Sequence, residues 1–219
     1  MVEISTSMLG AKEDTIIDTI YDLEKAKTDY FHIDVMDGKF VEQNTNNQML
    51  KTCEYLNSIS TVPLDVHLMT KDIKNYIDSY SIFYPKIITF HYEVCKEKKE
   101  IIDIIKYINS KGIKVGISIK PNTSIEEIYE FLPYIYLILV MTVEPGKGGQ
   151  ILIQDTLSKI AKLKKYIKEN NLETYIEADG GINPENSKEV INAGAEILVA
   201  GSAILNSKDY AKTIKKLRN

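Results

Sequence analysis

The 219-residue sequence is poor in cysteine. Its two cysteines, Cys53 and Cys95, stand far apart and form no CxxC motif. Isolated cysteines are typical of free thiols in a reducing compartment rather than of the disulfides of secreted proteins. We therefore expect two free thiols in a cytoplasmic protein.

The sequence also lacks a long hydrophobic run. No apolar stretch approaches the roughly 18 residues that a membrane-spanning helix requires. The N-terminal segment, residues 1–5, has neither the basic region nor the apolar region of a signal peptide. We expect no membrane partner.

An excess of positive charge is missing as well, since the formal net charge is −4 and the pI is about 5.5. A nucleic-acid-binding protein normally carries a basic patch or stripe. The lysines of residues 162–165 and 215–216 lie in helical patterns with apolar residues, which is typical of solvated helix faces. We expect no nucleic-acid partner.

Short β-branched or aromatic runs alternate with longer segments of helical period along the whole chain. The apolar and charged fractions, 44% and 26%, are ordinary for a globular protein. A helical segment follows each predicted strand, with the clearest amphipathic stripes at 15–26, 101–109 and 157–168. The predicted strands are residues 3–6, 30–34, 64–67, 86–90, 114–119, 136–140, 174–178 and 196–199.

Eight such units predict parallel strands joined by crossover helices. An open doubly wound sheet should carry a GxGxxG turn after its first strand, and residues 7–10 do not form one. The strand at 136–140 is apolar throughout, as in strands that are buried on both faces. We therefore expect an α/β fold, with residues 1–219 forming a single (β/α)8 TIM barrel domain.

Local signals mark several helix ends. Residues 124–127 form a capping box, with Ser at its start and Glu at its end, and predict the start of a helix. Pro184 is predicted to occupy the first position of another helix. Gly112 and Gly194 stand where helices are expected to end.

All three histidines lie in or just after predicted strands. His32 and Asp34 are two residues apart, so on a strand they point to the same face, which is the interior in a barrel. A buried imidazole or carboxylate is costly unless it is paired or ligated. His67 and Asp179 end two further strands, so the four side chains should meet at one mouth of the barrel.

Two imidazoles and two carboxylates suit a divalent transition metal. A single His–Asp pair is as often a buried ion pair, but three such clusters at three strand ends favour a metal site. We expect one ion, with Zn²⁺ as the first choice and Fe²⁺, Mn²⁺ or Co²⁺ as alternatives, bound by His32, Asp34, His67 and Asp179. His91 is left outside this set, either as a contact near the site or as a structural residue.

Glycine-rich turns follow the sixth, seventh and eighth predicted strands, at residues 145–150, 180–181 and 201–202. In TIM barrels, the loops after strands 7 and 8 and a short helix commonly bind phosphate through backbone N–H groups. Each turn alone could be an ordinary loop, but together they predict a phosphate site. The strand-end methionines Met36, Met69 and Met141 could fill the core or form a collar above the metal.

Five motifs, in order and over nearly the whole chain, resemble the ribulose-phosphate 3-epimerase family. They are His-x-Asp-Val-Met-Asp-Gly-x-Phe-Val at 32–41, Leu-Asp-Val-His-Leu-Met at 64–69, Val-Met-Thr-Val-x-Pro-Gly-x-Gly-Gly-Gln at 140–150, Asp-Gly-Gly-Ile at 179–182 and Val-Ala-Gly-Ser at 199–202.

The resemblance implies an isomerase of the pentose phosphate pathway that interconverts D-ribulose 5-phosphate and D-xylulose 5-phosphate through a metal-stabilised enediolate. It implies that Asp34 and Asp179 are the catalytic acid/base pair as well as metal ligands. We expect a small sugar phosphate as the substrate and a homo-oligomer as the assembly. The implied substrate contacts are Ser7, His67, Gly146, Lys147, Gly148, Gly149, Asp179, Gly180, Gly181, Gly201 and Ser202.

Four residues depart from the family pattern, namely Glu42, Lys120, Glu144 and Lys147, where the family usually has Pro, Asn, Asn and Phe. The metal and acid/base positions are intact, so the departures concern substrate preference. One alternative is therefore a 3-epimerase of a hexose phosphate such as D-allulose 6-phosphate. A barrel that binds sugar phosphate without catalysis is another, and a phosphate-binding lyase or decarboxylase is a third, although such enzymes typically need a lysine among the central acids.

Overall fold

Eight short runs of mostly aliphatic residues form the strands of a closed parallel barrel. In the computed structural model, which describes residues 2–219, the strands pair in chain order and the last closes on the first. They are β1 Glu3–Ser7, β2 Tyr30–Met36, β3 Leu64–Met69, β4 Ile87–His91, β5 Lys114–Ile119, β6 Leu137–Met141, β7 Tyr175–Asp179 and β8 Ile197–Ala200. The predicted (β/α)8 barrel is confirmed.

Amphipathic helices cover the outside of this barrel. In α1 the buried residues include Ile16, Ile20 and Leu23, which recur at spacings of four and three and so form one inward stripe. The helices are α1 Ile16–Lys25, α2 Asn46–Ile59, α3 Ile73–Ser81, α4 Lys98–Ser110, α5 Asp155–Glu169, α6 Ser187–Ala193, α7 Ser202–Leu205 and α8 Tyr210–Leu217.

The connection from β5 to β6 contains only two short 3₁₀ helices, Ile125–Ile128 and Leu132–Tyr134. The expectation of a longer helical segment after every strand is therefore wrong here. The capping box correctly predicts a helix start, since a 3₁₀ helix begins at Ile125 with Ser124 as its cap residue, but the Ser124 side chain caps no backbone N–H and hydrogen-bonds to Glu126 instead. Pro133 lacks an amide hydrogen, so it cannot donate the hydrogen bond that would continue a helix from the first turn into the second.

The helix predicted to start at Pro184 begins later. The helix α6 starts at Ser187 with Asn186 as its cap residue. Ahead of it, the Asn183 side chain accepts hydrogen bonds from the amides of Glu185 and Asn186, at 2.9 and 3.2 Å. This side-chain turn competes with helix and delays its start by three residues.

Other local expectations agree with the structure. Gly112 and Gly194 follow α4 and α6 with φ of +75° and +120°, a backbone conformation that favours glycine. Both cysteines are free thiols. None of the helices within residues 2–219 is both long enough and apolar enough to cross a membrane.

Candidate metal centre and active site

The four side chains predicted to bind a metal lie together at the C-terminal ends of three strands. His32 and Asp34 project from β2, His67 from β3 and Asp179 from β7, and one ligand atom of each lies within 4.8 Å of the others. In the parallel register Asp34 is paired with His67, which places an imidazole and a carboxylate side by side on neighbouring strands.

The distances between these atoms fit a single ion. His32 Nε2 lies 3.4 Å from Asp34 Oδ1 and 3.9 Å from Asp179 Oδ2. His67 Nδ1 lies 3.6 Å from each of the same two oxygens. Four tetrahedral ligands at about 2.0–2.2 Å from a zinc ion would lie about 3.3–3.6 Å from one another. The side chains therefore need little movement to surround one cation.

Two imidazole nitrogens that face the cluster lack a hydrogen-bond partner among the described residues. They are His32 Nε2 and His67 Nδ1, and both are buried. Leaving a buried polar atom unsatisfied typically costs about 1–3 kcal/mol. A cation between the imidazoles and the carboxylates would accept both lone pairs, so the donor set fits a divalent metal.

Charge within the cluster also favours a cation. Burial opposes a charge on His32, but the carboxylates of Asp65 and Asp34 outweigh it and raise the pKa of His32 well above its ordinary range. Burial likewise opposes the ionised form of Asp34, but His32 and His67 outweigh it and hold the pKa of Asp34 well below its ordinary range. Asp34 is therefore a carboxylate near neutral pH, as a metal ligand and a general base must be.

A polar layer lies directly beneath the cluster, inside the barrel. Asp65 Oδ2 is 2.7 Å from His32 Nδ1 and accepts a hydrogen bond from Ser5 Oγ at 2.8 Å. A proton on Nδ1 of His32 leaves the lone pair of Nε2 free for a metal. Burial and the neighbouring Asp65 raise the pKa of Glu177 well above its ordinary range.

Asp65 and Glu177 were not predicted from the sequence as part of the site. Each stands two residues before a predicted ligand on the same strand, His67 or Asp179, and therefore points to the same face. Applying the two-residue period backwards from the ligands would have found both.

A cavity of about 570 Å³ opens above the cluster. His67, one of the predicted substrate contacts, is fully buried and does not line it. Met36, Met69 and Met141 line the cavity and are at the same time almost fully buried. The other ten predicted substrate contacts all line it, namely Ser7, Gly146, Lys147, Gly148, Gly149, Asp179, Gly180, Gly181, Gly201 and Ser202.

Two adjacent glycines in the cavity wall have no room for a side chain. A Cβ on Gly180 would lie 2.4 Å from Val143 Cγ2, and a Cβ on Gly181 would lie 2.5 Å from Leu152 N. Both residues have positive φ, at +124° and +67°. Glycine therefore lets the main chain of the loop after β7 form the wall of the cavity directly.

Comparison with known proteins agrees with this geometry. The sequence profile described as the Ribulose-phosphate 3 epimerase family matches residues 3–205. The chain belongs to this family. Ribulose-phosphate 3-epimerase of Bacillus subtilis (strain 168) is 36% identical over 219 residues, which cover 100% of this chain and 99% of the relative. The enzyme of the same name from Methanocaldococcus jannaschii is 37% identical over 218 residues, covering 100% of this chain and 90% of the relative.

Solved structures outside the family share the fold. A 3-hexulose-6-phosphate synthase has a TM-score of 0.70 at 15% identity, covering 99% of this chain and 98% of its own. KGPDC from Streptococcus mutans has a TM-score of 0.70 at 10% identity, covering 100% of this chain and 96% of its own. At such low identity these similarities show a common barrel and nothing about the reaction.

The four departures from the epimerase family pattern fall into two groups. Glu144 and Lys147 line the cavity, whereas Glu42 and Lys120 are not among its lining residues. Gln150 Nε2 donates to the backbone oxygens of Glu144 and Lys147, at 2.7 and 2.9 Å, and so closes this loop on itself. The departures that can affect substrate preference directly are therefore those in the β6–α5 loop.

Two hydroxyl groups hold the end of β2. Ser7 Oγ donates to Asp34 Oδ2 at 2.7 Å, which links a predicted substrate contact to a predicted acid/base residue. Thr45 Oγ1 donates to the backbone oxygen of Asp34 at 2.6 Å and accepts from the amide of Met36 at 2.9 Å. Nothing in the sequence around Thr45 indicated this contact, because it depends on how the long loop after β2 folds back.

His91, whose role was open, contacts a predicted metal ligand. Its Nε2 lies 3.0 Å from His67 Nε2, and its Nδ1 lies 3.0 Å from Glu93 Oε2. Burial lowers the pKa of His91 to about 4, so the ring is neutral near pH 7. Burial opposes charge on Glu93, but hydrogen bonds from His91, the Lys120 amide and Thr123 outweigh it and lower the pKa of Glu93 to about 2.

Proposed function

We propose that the protein is a metal-dependent epimerase that interconverts D-ribulose 5-phosphate and D-xylulose 5-phosphate. The observation that carries this proposal is the cluster of His32, Asp34, His67 and Asp179 at the floor of a glycine-walled cavity, in a chain of the ribulose-phosphate 3-epimerase family. We infer that these four residues bind one divalent cation, Zn²⁺ in the first place.

The bound cation would supply Lewis-acid stabilisation of the negative charge that develops on the substrate oxygens beside C3. Asp34 and Asp179 do the proton chemistry. One carboxylate takes the proton from C3 and leaves an enediolate, and the other carboxyl group returns a proton to the opposite face. The two residues come from β2 and β7, which are not neighbours in the barrel, so they reach the substrate from different directions.

Other residues position the catalytic carboxylates and shape the cavity around the substrate. Ser7 fixes one oxygen of Asp34 through its hydrogen bond and leaves the other directed at the cluster. The three methionines at the strand ends give the cavity an apolar wall that excludes water from the reacting carbon.

The phosphate group of the substrate binds at the other side of the cavity. Gly180 and Gly181 expose main chain there, and Gly201 and Ser202 begin the short helix α7 beside them. Backbone N–H groups at such loops are a common phosphate site in TIM barrels. Lys147, exposed in the β6–α5 loop, can add a positive charge to this site.

A coupled assay on purified protein tests the reaction. We expect turnover of D-ribulose 5-phosphate that is lost after chelation and restored by one equivalent of metal per chain. Full activity in metal-free protein would refute the metal requirement of the reaction. No activity in metal-loaded protein would favour a barrel that only binds sugar phosphate.

Two further measurements test the expected assembly and location. Size-exclusion chromatography with light scattering tests the expected homo-oligomer, and cell fractionation tests the expected cytoplasmic location.

A six-carbon substrate is the second candidate, since Glu144 and Lys147 line the cavity and both depart from the family pattern. The discriminating measurement is kcat/KM on D-ribulose 5-phosphate and on D-allulose 6-phosphate with the same metal-loaded preparation. We expect the pentose phosphate to be preferred. A higher kcat/KM for the hexose phosphate would assign the enzyme to that substrate with the chemistry unchanged.

A further inference from the structure

The two histidines of the cluster have different surroundings on the side that faces away from it. His32 directs Nε2 at the cluster and Nδ1 at the carboxylate of Asp65, 2.7 Å away. His67 directs Nδ1 at the cluster and Nε2 at another imidazole, His91, 3.0 Å away. A metal-binding histidine usually donates its second N–H to a carboxylate, a carbonyl or water. For His67 the acceptor is instead a buried histidine, which requires an explanation.

Valence fixes the positions of the protons along this contact. Metal binding through Nδ1 of His67 uses the lone pair of that atom, so the proton of the neutral ring is on Nε2. His91 Nε2 must then accept, and the remaining proton of its neutral ring is on Nδ1. That N–H points at Glu93 Oε2, 3.0 Å away. The three side chains thus form a chain of hydrogen bonds in which His67 donates to His91 and His91 donates to the carboxylate of Glu93.

The geometry of the two rings fits a direct hydrogen bond between them. Their centroids are 5.0 Å apart and their planes differ by 27°, so the two Nε2 atoms meet edge to edge. Both rings are fully buried, and Phe40 lies against His91 with ring centroids 4.7 Å apart. Water is therefore kept from the contact, and a hydrogen bond is stronger in such surroundings than in solvent.

Glu93 is itself held in place. Its Oε1 accepts hydrogen bonds from the backbone amide of Lys120, at 2.7 Å, and from the hydroxyl of Thr123. On the outer side of the same loop, Lys159 Nζ donates to three backbone oxygens between residues 120 and 123, at 2.6 to 3.0 Å. The loop after β5 therefore fixes the Glu93 carboxylate, which ends the chain of hydrogen bonds.

We propose that His91 and Glu93 are positioning residues that fix the tautomer and the orientation of His67 as a metal ligand. Glu93 accepts a hydrogen bond from His91, which in turn accepts one from His67, whereas Asp65 accepts a hydrogen bond directly from His32. The inference rests on the proposed metal, and it adds two residues that touch neither the metal nor the substrate.

Metal affinity, measured by chelator competition with Zn²⁺ and Co²⁺, tests the proposal. We expect Glu93→Gln and His91→Leu each to weaken binding by roughly 10–100-fold. The double variant should bind about as weakly as His91→Leu alone, because without His91 the carboxylate has no route to His67. In the Co²⁺ protein, the visible absorption bands of both variants should shift, since the direction of the His67 lone pair changes. His91→Gln, whose amide oxygen can accept from His67, should lose less affinity than His91→Leu.

Thr123→Val is the matched control. It removes a hydrogen bond to Glu93 on the loop side and leaves the contact with His91, so its metal affinity should stay within about twofold of the original. If Glu93 only fastens the loop, Thr123→Val should resemble Glu93→Gln. Thermal unfolding of the metal-free variants shows whether each is folded. If His91→Leu does not fold, the metal affinity of Glu93→Gln still decides the test.

The outcomes separate this inference from the proposed function. If the original protein binds metal stoichiometrically and Glu93→Gln and His91→Leu bind it with the same affinity, the positioning role is refuted and the metal site stands. If the original protein binds no metal, both the metal site and the positioning role are refuted.

Discussion

The two aspartates at the cavity floor are the residues on which the proposed chemistry depends most. Asp34 is 6% exposed and bonded to Ser7, and the Asp179 side chain is 14% exposed. Asparagine keeps the shape of either side chain and one potential ligand oxygen but cannot exchange the proton. We expect Asp34→Asn and Asp179→Asn each to lower kcat by about 10²–10⁴-fold, with a smaller change in KM.

Steady-state kinetics on metal-loaded protein measures this effect, with metal content checked for each variant. Asp155→Asn, at the exposed first position of α5, is the control and should leave kcat unchanged. Near-native turnover of Asp179→Asn with metal bound would contradict the scheme with two acid/base groups.

The buried carboxyl group of Glu177 makes stability depend on pH. Its folded-state pKa is raised above the ordinary value of 4.5, so above that pH the unfolded chain loses a proton that the folded chain keeps. Stability from this residue is therefore lost as pH rises towards the folded-state pKa. Glu177→Gln removes this loss, and its unfolding free energy relative to the original protein should increase by up to about 1.4 kcal/mol per pH unit in that window.

Urea unfolding of the metal-free proteins at about pH 5 and pH 8 measures that difference. Asp34 contributes to the pH dependence with the opposite sign, but equally in the original protein and in Glu177→Gln. Its contribution therefore cancels when the unfolding free energies of the two proteins are subtracted. A difference that is equal at the two pH values would show that Glu177 is ionised in the folded chain at both.

The grouping of the four predicted metal ligands could be predicted from the sequence, because the two-residue period of a strand and the common direction of parallel strands are enough to bring such side chains together. These ligands are His32, Asp34, His67 and Asp179. The partner of His91 could not be predicted in this way. That contact joins β3, β4 and the loop after β5, and depends on which rings face each other across strands. Local spacing carries no information about such pairs.

Among the elements, all eight strands were found near the predicted positions, but several extend one or two residues further along the chain. The strand predicted at 30–34 continues to Met36, and the strand predicted at 64–67 continues to Met69. In both strands the predicted end was the last polar residue, Asp34 or His67, and the apolar residues that follow it, 35–36 and 68–69, continue the strand. The β5–β6 connection was misjudged for another reason, since Pro133 interrupts an otherwise helical pattern.

The strand β5 has one position at which a side chain cannot be accommodated. A Cβ on Gly116 would lie 2.2 Å from Thr89 Oγ1 and 3.0 Å from Leu137 Cδ1, so three neighbouring strands meet there. We expect Gly116→Ala to lower the unfolding free energy by about 1–3 kcal/mol, which is typical of overpacking. Denaturant unfolding measures it.

Two variants control this prediction. Gly10→Ala has its nearest contact at 3.5 Å, from Leu205 Cδ1, and should be nearly neutral for stability. Adding Thr89→Ala to Gly116→Ala removes the closest clashing atom and should restore part of the loss. If Gly116→Ala is as stable as Gly10→Ala, the barrel interior can adjust there, and the close contact with Thr89 is not a constraint on the sequence.

For the whole molecule, a metal at this site would connect parts of the chain that are far apart. The ligands come from β2, β3 and β7, and span the sequence from His32 to Asp179. A cation that binds only when these strands are in place stabilises the folded chain by about 2.7 kcal/mol at a free concentration 100 times its Kd. In a chain of this size, that corresponds to a rise of about 5–10 °C in Tm. Calorimetry with and without Zn²⁺ measures it, and Asp179→Asn should reduce the rise.

The same measurement tests whether the chain forms one domain, as we infer from a barrel that uses strands from both ends of the sequence. If it does, the metal should shift a single cooperative transition as a whole, because no part of the barrel can unfold and keep the site. The shift should shrink as pH falls, because protons compete with the metal for the lone pairs of the two imidazoles, and His32 holds its proton tightly. A Tm that does not respond to metal would contradict the site, and two transitions of which only one moves would contradict the single domain.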